Sequence, residues 1–232
     1  MRHTALYHSV LAAVANGNET CGSIAGYIGR RAADIGHHLT VLEDCGLLRR
    51  EPDVFRSGRS RYRVDDPLIN FYQVVMRPQW GLLESGRARP VWQAATERFS
   101  AQVLGPHFEQ ICRDYALAAP AELFASLPGE VGSGVVADPA RRSQIEVDIV
   151  VFAPGEPRRI LSLGEAKWGD VPGTRHLDRL RRARDLLASR GYDTRDTVLT
   201  RYGRVDRDLN MGRDRVLAVG LDDLYAEAGT IV

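Results

Sequence analysis

The sequence predicts an α/β chain, α+β overall, in which a helical N-terminal part with one β-hairpin precedes a mixed β-sheet. Three observations indicate this class. Apolar residues recur at helical spacing through residues 4–45, two apolar stretches typical of strands lie at 145–152 and 160–167, and helices and strands then alternate. The predicted organisation is a domain over 1–66, a helical connector over 67–96 and a second domain over 97–232.

Three helices are predicted at the N-terminus. The first covers residues 4–16, the second is capped by Thr20 or Ser23 and ends at Gly29, and the third covers about 31–45. Leucine, isoleucine and valine recur every three to four residues in this stretch, which gives each helix an apolar face. A compact three-helix core is therefore expected.

A β-hairpin is expected directly after the third helix. Residues 47–50 and 61–64 form two short strands around a basic loop with a turn at Ser57-Gly58. Three helices followed by a hairpin are the winged helix-turn-helix arrangement. The passage from the third helix into the wing has its usual pattern, Leu39-x-x-Leu42-Glu43-x-x-Gly46-Leu47-Leu48.

The connector and the second domain follow. Residues 67–96 carry many aromatic side chains, which predicts packed helices and not a flexible linker. A longer helix is expected over 91–118, bent at Gly105-Pro106. The later predicted elements are a weak strand at 130–137, strands at 145–152 and 160–167, a helix at 174–190, strands at 197–201 and 216–221, and a short last helix around Leu224.

The composition and net charge of the chain disfavour several classes of protein. The 232 residues carry a net charge of +1, so any nucleic-acid binding must come from local clusters of arginine. The three cysteines form no C-x-x-C pair, which disfavours a zinc ribbon or a disulfide framework and predicts reduced thiols in the cytoplasm. No signal peptide, membrane-length apolar run or G-x-x-x-x-G-K-[ST] loop is present, so we expect no membrane association.

The chain contains a single lysine. Lys167 is the one lysine among 31 basic residues, and the others are arginine. A composition this rich in arginine suggests that a lysine is retained where arginine cannot replace it, because the ammonium is compact and the guanidinium is a broad planar fork. Chance is the alternative, and the residues around Lys167 favour the first interpretation.

Acidic residues lie inside the two apolar strands. Glu146 and Asp148 are two apart on one strand, and Glu165 and Lys167 are two apart on the next, so each pair shares a face. Charges in apolar strands are costly to bury unless they are paired or bind a metal. Two carboxylates and an ammonium at one sheet edge would suit Mg²⁺ or Mn²⁺ over a phosphodiester, with Asp148 and Glu165 as ligands. For Glu146 we favour a structural charge over an acid that orients the metal ligands.

These residues resemble a known motif. Asp148 followed by Glu165-Ala166-Lys167 is similar to the motif of the PD-(D/E)XK nuclease superfamily, whose fold is restriction-endonuclease-like. The resemblance implies that an acid of the first core helix joins the metal site, and Glu109 is at that position; an exposed helix carboxylate is the open alternative. The family often has proline before the first acid, and Val147 stands there instead.

A wider resemblance covers nearly the whole chain. The order of the winged helix and several later motifs looks like the C-terminal region of archaeal-type AAA-superfamily ATPases, which pairs a winged helix with a nuclease-like domain. In such proteins an ATPase domain precedes this region, so an ATPase domain or subunit is a candidate partner, as is a second copy of the chain. The motifs after the winged helix are Arg61-Tyr62-x-x-Asp65-Asp66-Pro67-Leu68-x-x-Phe71, Gly105-x-x-Phe108-Glu109, Glu146-x-Asp148 and Gly164-Glu165-x-Lys167.

The winged helix predicts contacts with DNA. A basic wing can bind phosphates while the third helix enters the major groove, and docking to a protein is the alternative. The basic helix after the motif, including His176 and Arg179, could hold a phosphate backbone or form a solvated face. The candidate nucleic-acid contacts are Arg31, His37, Arg56, Arg59, Arg61 and Arg63.

The leading hypothesis from the sequence is a Mg²⁺-dependent DNA-processing protein that hydrolyses phosphodiesters and uses the winged helix for positioning. Two alternatives stay open. One is a catalytically inactive module that binds DNA or protein in an ATPase system. The other is a transcription regulator whose C-terminal domain dimerises or senses a ligand.

Overall fold

The computed structural model of the chain describes residues 2–169, 174–204 and 214–225. Two compact units are present: Met1–Pro52 with Arg59–His107, and Asp53–Gly58 with Phe108–Val232. Helices, a small antiparallel sheet and a mixed five-stranded sheet confirm the predicted α/β class. The division differs from the predicted boundaries, because the connector groups with the N-terminal helices and the hairpin loop groups with the C-terminal sheet.

The first unit begins with three helices and a hairpin, in the predicted order. Thr20 caps the second helix in a capping box, in which its hydroxyl accepts from Ser23 N and Ser23 Oγ accepts from Thr20 N. Ile24, Ile35 and other apolar side chains of the three helices are buried together, as their spacing requires. The elements are α1 (Arg2–Ala15), α2 (Cys21–Tyr27), α3 (Ala32–Asp44), β1 (Leu48–Pro52) and β2 (Ser60–Val64).

Residues 67–118, which were predicted to form the helical connector and the longer helix after it, are helical, and they contain two π-helical segments. One of them lies just before Pro106, within the stretch where a bent helix was expected. Pro106 has no N–H to donate to the carbonyl of Gln102. That carbonyl instead accepts a hydrogen bond from Nδ2 of Asn70, at 2.7 Å. The elements are α4 (Pro67–Phe71), a π segment (Tyr72–Met76), a 3₁₀ turn (Arg77–Gln79), α5 (Trp80–Glu84), α6 (Ala88–Phe99), a second π segment (Ser100–Leu104) and α7 (Gly105–Ala118).

The second unit is built on a mixed sheet of order β3-β4-β5-β6-β7. The first three strands pair antiparallel, and β5, β6 and β7 pair parallel. Parallel neighbours need a crossover, and the long helix α9 lies between β5 and β6 in the chain. The elements are α8 (Ala121–Phe124), β3 (Val131–Asp138), β4 (Ser143–Ala153), β5 (Glu156–Lys167), α9 (Thr174–Ser189), β6 (Val198–Gly203), β7 (Val216–Val219) and α10 (Leu221–Leu224).

Two apolar clusters cover the sheet. In one cluster, Phe108 and Cys112 of α7 pack with Ile149 of β4. In the other, leucines of α9 such as Leu180 pack with Val150 of β4. Because the central strands are buried by both clusters, they form nearly continuous apolar runs, and a charge within them lies in an environment of low dielectric constant. Within the described ranges, no helix combines the length and the apolar character needed to cross a membrane.

Candidate active site

The candidate site lies where β4 and β5 cease to pair. In the described part of the sheet, the β4–β5 ladder ends at the pair Ile149–Gly164. Before this point β4 pairs with β3 back to Ser143, and after it β5 pairs with β6 as far as Lys167. The two strands therefore have different neighbours beyond the end of the ladder. Beyond the ladder, a hydrogen bond from Ala166 N to the Asp148 carboxylate links the two strands instead of a backbone pair.

A β-bulge presents Asp148. Gly132 of β3 pairs with Val150 and Gly134 pairs with Val147, so that Asp148 and Ile149 both lie opposite Ser133. A bulge of this kind redirects side chains and is frequent beside active sites. The carboxylate of Asp148 accepts a hydrogen bond from Ala166 N of β5, with a distance of 3.0 Å to Oδ2. Asp148 thus spans the two strands just beyond the end of their ladder.

Glu165 is held through one of its two carboxylate oxygens. Lys167 Nζ lies 3.1 Å from Oε1, His176 Nδ1 lies 3.0 Å from it, and Arg179 Nη1 lies 3.4 Å from it. The other oxygen, Oε2, is buried, and no donor among the described residues reaches it. A buried acceptor without a partner is costly, so Oε2 of Glu165 is the atom of this cluster whose partner the described residues leave open.

Lys167 joins the two acids. Its ammonium lies 3.7 Å from Oδ2 of Asp148 as well as 3.1 Å from Oε1 of Glu165. Burial lowers the pKa of Lys167, but the carboxylates of Asp148 and Glu165 raise it by more, so the pKa lies above its ordinary value. Lys167 is therefore charged at neutral pH. About a third of its side chain is exposed, so a ligand from solution can reach the ammonium.

Asp148 is poised between its charged and neutral forms. Burial raises the pKa of its carboxyl group to about 7, and the negative charges of Glu109 and Glu165 add to this effect. The ammonium of Lys167 and the Ala166 hydrogen bond act in the opposite direction. Strongly perturbed acids of this kind are frequent in functional sites, where a ligand or a metal offsets the cost of the charge.

The two remaining acids are placed differently. Glu109, on α7, is partly exposed, and its charge acts on both Asp148 and Lys167. Glu146 of β4 is exposed and lies opposite Val135 of β3. In the part of the chain that the structure describes, no three His, Cys, Asp or Glu side chains stand close enough to bind a metal by themselves.

Asp148 and Glu165 nevertheless fit a magnesium site. Mg²⁺ commonly takes one or two carboxylates, and waters and substrate phosphates complete its octahedral shell. Both acids reach the same ammonium, and Oε2 of Glu165 is a buried oxygen that lacks a donor. The donor set is oxygen only, which suits Mg²⁺ or Mn²⁺ and not a thiolate-binding metal. These two side chains would hold the metal.

The contacts of His176 and Arg179 with Glu165 were not predicted. Both residues were predicted as basic side chains of the helix after the motif, available for a phosphate backbone. Their spacing of three residues places them on one side of α9, and their shared contact with Oε1 of Glu165 shows that this side faces the site. The sequence could have indicated these contacts, because the helix that carries both residues directly follows the acid-x-Lys motif.

The candidate nucleic-acid contacts are dispersed over the hairpin and α3. Arg61 and Arg63 form ion pairs with Glu19, at 3.7 and 2.7 Å. Arg56 Nε lies 2.7 Å from Asp53, in the loop that belongs to the second unit. The exposed residues are Arg31, which pairs with Asp34, His37, which faces His38 edge-on, and Arg59.

Comparison with known proteins assigns neither a family nor an activity to the chain. No family model matches the chain, and no solved structure matches it. An uncharacterized protein of Methanocaldococcus jannaschii is 31% identical over 83 residues, which cover 34% of this chain and 19% of that protein. The chain thus spans about a fifth of the length of this relative, for which no activity is given.

Proposed function

We propose that the protein is a metal-dependent nuclease that hydrolyses phosphodiesters in DNA, with Asp148, Glu165 and Lys167 as its catalytic residues. The observation that carries the proposal is the convergence of two buried carboxylates on the chain's single lysine, at 3.7 and 3.1 Å, where two core strands cease to pair. A pair of ions serving only stability would be weakly favoured in a buried sheet. The placement supports a chemical role for the cluster.

The protein side chains divide the task. Asp148 and Oε2 of Glu165 would hold Mg²⁺ or Mn²⁺, which when bound polarises a phosphoryl oxygen and favours a deprotonated water. The Lys167 ammonium can donate a hydrogen bond to a phosphoryl oxygen and stabilise the negative charge that develops there. His176 and Arg179 fix the orientation of Glu165 through Oε1. Glu109 contributes negative charge to the same site, which favours a divalent cation.

The first unit would position the substrate. Its three helices and hairpin have the order of a winged helix-turn-helix. Arg31, the residue before α3, is exposed, as are His37 on α3 and Arg59 on the hairpin. Such residues bind phosphates and base edges in winged-helix proteins. The resemblance to the C-terminal region of archaeal-type ATPases extends the proposal to an ATPase domain or subunit as a partner.

A cleavage assay tests the proposal. Supercoiled plasmid and labelled single- and double-stranded oligonucleotides are incubated with the protein in Mg²⁺, in Mn²⁺ and in EDTA. We expect cleavage that requires the metal and falls at least about a hundredfold in Asp148→Asn and Lys167→Arg, because each change removes a group that acts in the transition state. Lys167→Arg keeps the charge and tests the need for a compact ammonium.

A matched control is available on the same strand. Glu146→Gln neutralises an exposed carboxylate two residues before Asp148 and should retain the wild-type rate. Metal-dependent cleavage that persists in Lys167→Arg would refute the assignment. Metal and DNA binding without cleavage by the wild type would instead identify a module that binds but does not cut.

A further inference from the structure

The loop at the tip of the hairpin belongs to the C-terminal unit. Residues Asp53–Gly58 group with this unit and lie along β3, the edge strand of the five-stranded sheet. Val54 N donates to Ser133 O at 3.0 Å, and Asp53 forms a parallel bridge with Ser133. Val135 N donates to the carboxylate of Asp53 at 3.3 and 3.4 Å. The loop therefore pairs with the outer edge of β3 over a short length.

The side chains of the loop enter the core of the same unit. Phe55 packs edge-on against Phe152 and Tyr192, with ring centroids 6.3 and 5.6 Å away. β3 accommodates the loop because it has glycine where a side chain would collide. A Cβ at Gly132 would lie 2.6 Å from Val54 Cγ1, and one at Gly134 would lie 2.5 Å from the Phe55 ring.

Asp53 organises the loop itself. Its buried carboxylate accepts from Phe55 N at 3.0 Å and from Arg56 Nε at 2.7 Å, in addition to its contact with β3. Arg56 is therefore a partner of the loop's own acid. Its position indicates a structural role for this arginine, whereas Arg59 extends from the hairpin into solvent.

The loop contacts β3 at the residue that faces the bulge. Ser133 is bonded to the loop on its outer side, and on its inner side it lies opposite both Asp148 and Ile149. The extra residue of the bulge needs a firm partner strand, because a bulge disrupts the ladder locally. An edge strand with glycines on both sides of Ser133 is intrinsically weak, so the loop supplies the stiffness that β3 lacks.

We propose that the hairpin loop Asp53–Gly58 is a positioning element for Asp148, acting through Ser133 and the bulge of β4. Asp53 and Phe55 are positioning residues: they contact neither substrate nor metal, and they fix the strand that presents the acid. The consequence for catalysis rests on the proposed function. The placement of Asp148 can be tested without it.

The backbone amide of Ala166 reports the position of Asp148, because it donates to the Asp148 carboxylate at 3.0 Å. Hydrogen exchange at this amide is measured by NMR in the 232-residue chain without metal. In Gly134→Ala, which displaces the Phe55 ring, we expect exchange at Ala166 to accelerate about three- to tenfold relative to the Leu163 amide. Asp148→Ala, which removes the acceptor, gives the reference for complete loss of this protection.

A second variant and a control make the result decisive. Asp53→Asn keeps the shape of the loop and should accelerate Val135 and Ala166 selectively, even where Gly134→Ala fails to fold. Val198→Ala destabilises the same unit from β6, which two strands separate from β3, and it lies four residues before the partner of Ala166, so it should not single out Ala166. Unchanged exchange at Ala166 in Asp53→Asn, or uniform acceleration across the unit, would overturn the proposal.

Metal binding separates this inference from the proposed function. Mn²⁺ affinity is measured by calorimetry for the wild type and for Asp53→Asn, with Val198→Ala alongside. We expect weaker binding in Asp53→Asn at an unchanged stoichiometry. A wild type that binds no Mn²⁺ would contradict the proposed function, and the exchange at Ala166 would still decide whether the loop positions Asp148.

Discussion

Asp148 should destabilise the metal-free protein at neutral pH. Burial and neighbouring acids raise the pKa of its carboxyl group from 3.8 to about 7. A rise of roughly three units, at about 1.4 kcal/mol each, corresponds to ~4 kcal/mol lost on ionisation in the folded state. Relaxation and water entry reduce such costs, so we expect Asp148→Asn to raise the free energy of unfolding by about 1–3 kcal/mol at pH 8.

The pH dependence follows from the direction of the shift. The folded state holds its proton more tightly than the unfolded state, so the contribution of Asp148 to stability is fully present below about pH 4. It declines as the pH rises and is lost once the pH has passed about 7. The advantage of Asp148→Asn over the wild type should therefore be larger at pH 8 than at pH 5.

Urea unfolding in EDTA, at pH 5 and pH 8, measures the effect. The wild type and Asp148→Asn are compared by tryptophan fluorescence and circular dichroism, so that a transition in either unit is seen. The Asn side chain can still accept the hydrogen bond from Ala166 N, which keeps the two proteins comparable. A variant that is less stable at pH 8, or equally favoured at both pH values, would refute the reasoning.

Three further predictions concern other parts of the molecule. The carboxylate of Asp138 accepts two hydrogen bonds from Arg182, at 2.9 Å each, and these lower its pKa. Its contribution to the stability of the folded state is therefore present above about pH 4, and it is lost as the pH falls through the pKa of the folded state. Calorimetry should show Asp138→Asn lowering the melting temperature more at pH 7 than at pH 3; equal shifts would exclude this ion pair as the cause. His176→Ala should weaken Mn²⁺ binding about tenfold and His176→Gln less, by titration calorimetry, and equal affinities would argue against its positioning of Glu165. Arg59→Ala should reduce the salt dependence of DNA binding, measured by fluorescence anisotropy, by a slope of about one, whereas an unchanged slope would favour protein docking by the hairpin.

The sequence allowed the regular elements to be predicted because their signals are local. The apolar runs at 145–152 and 160–167 correspond to β4 (Ser143–Ala153) and β5 (Glu156–Lys167), and the turn formers between them end both strands. The helix expected at 174–190 is α9, Thr174–Ser189. Period and turn chemistry act over a few residues, so a single sequence contains this information.

The features that the sequence did not reveal depend on residues distant in the chain. The bulge at Asp148 arises from the register of β4 against β3, and nothing in the apolar run around it indicates an extra residue. The loop Asp53–Gly58 joins the C-terminal unit because glycines about 80 residues later leave room for it. In the π segment before Pro106, the carbonyl of Gln102 accepts a hydrogen bond from Asn70, which lies 32 residues earlier.

The candidate site was predicted in part for the same reason. Asp148, Glu165 and Lys167 were expected to converge because strand periodicity and the turn formers between the two strands predicted a hairpin. In the structure the Lys167 ammonium contacts both carboxylates. The unequal use of the two Glu165 oxygens required the packing of α9, which brings His176 and Arg179 to Oε1 only. That asymmetry leaves Oε2 without a donor among the described residues.

The measurement that tests the central claim most directly is Mn²⁺ anomalous diffraction from crystals of the wild type and of Glu165→Gln. We predict a peak beside Oε2 of Glu165 and the carboxylate of Asp148 in the wild type, and its loss in Glu165→Gln. The absence of a peak at saturating Mn²⁺ in wild-type crystals, or a peak that remains in Glu165→Gln, would contradict the assignment of these residues as a metal-dependent catalytic site.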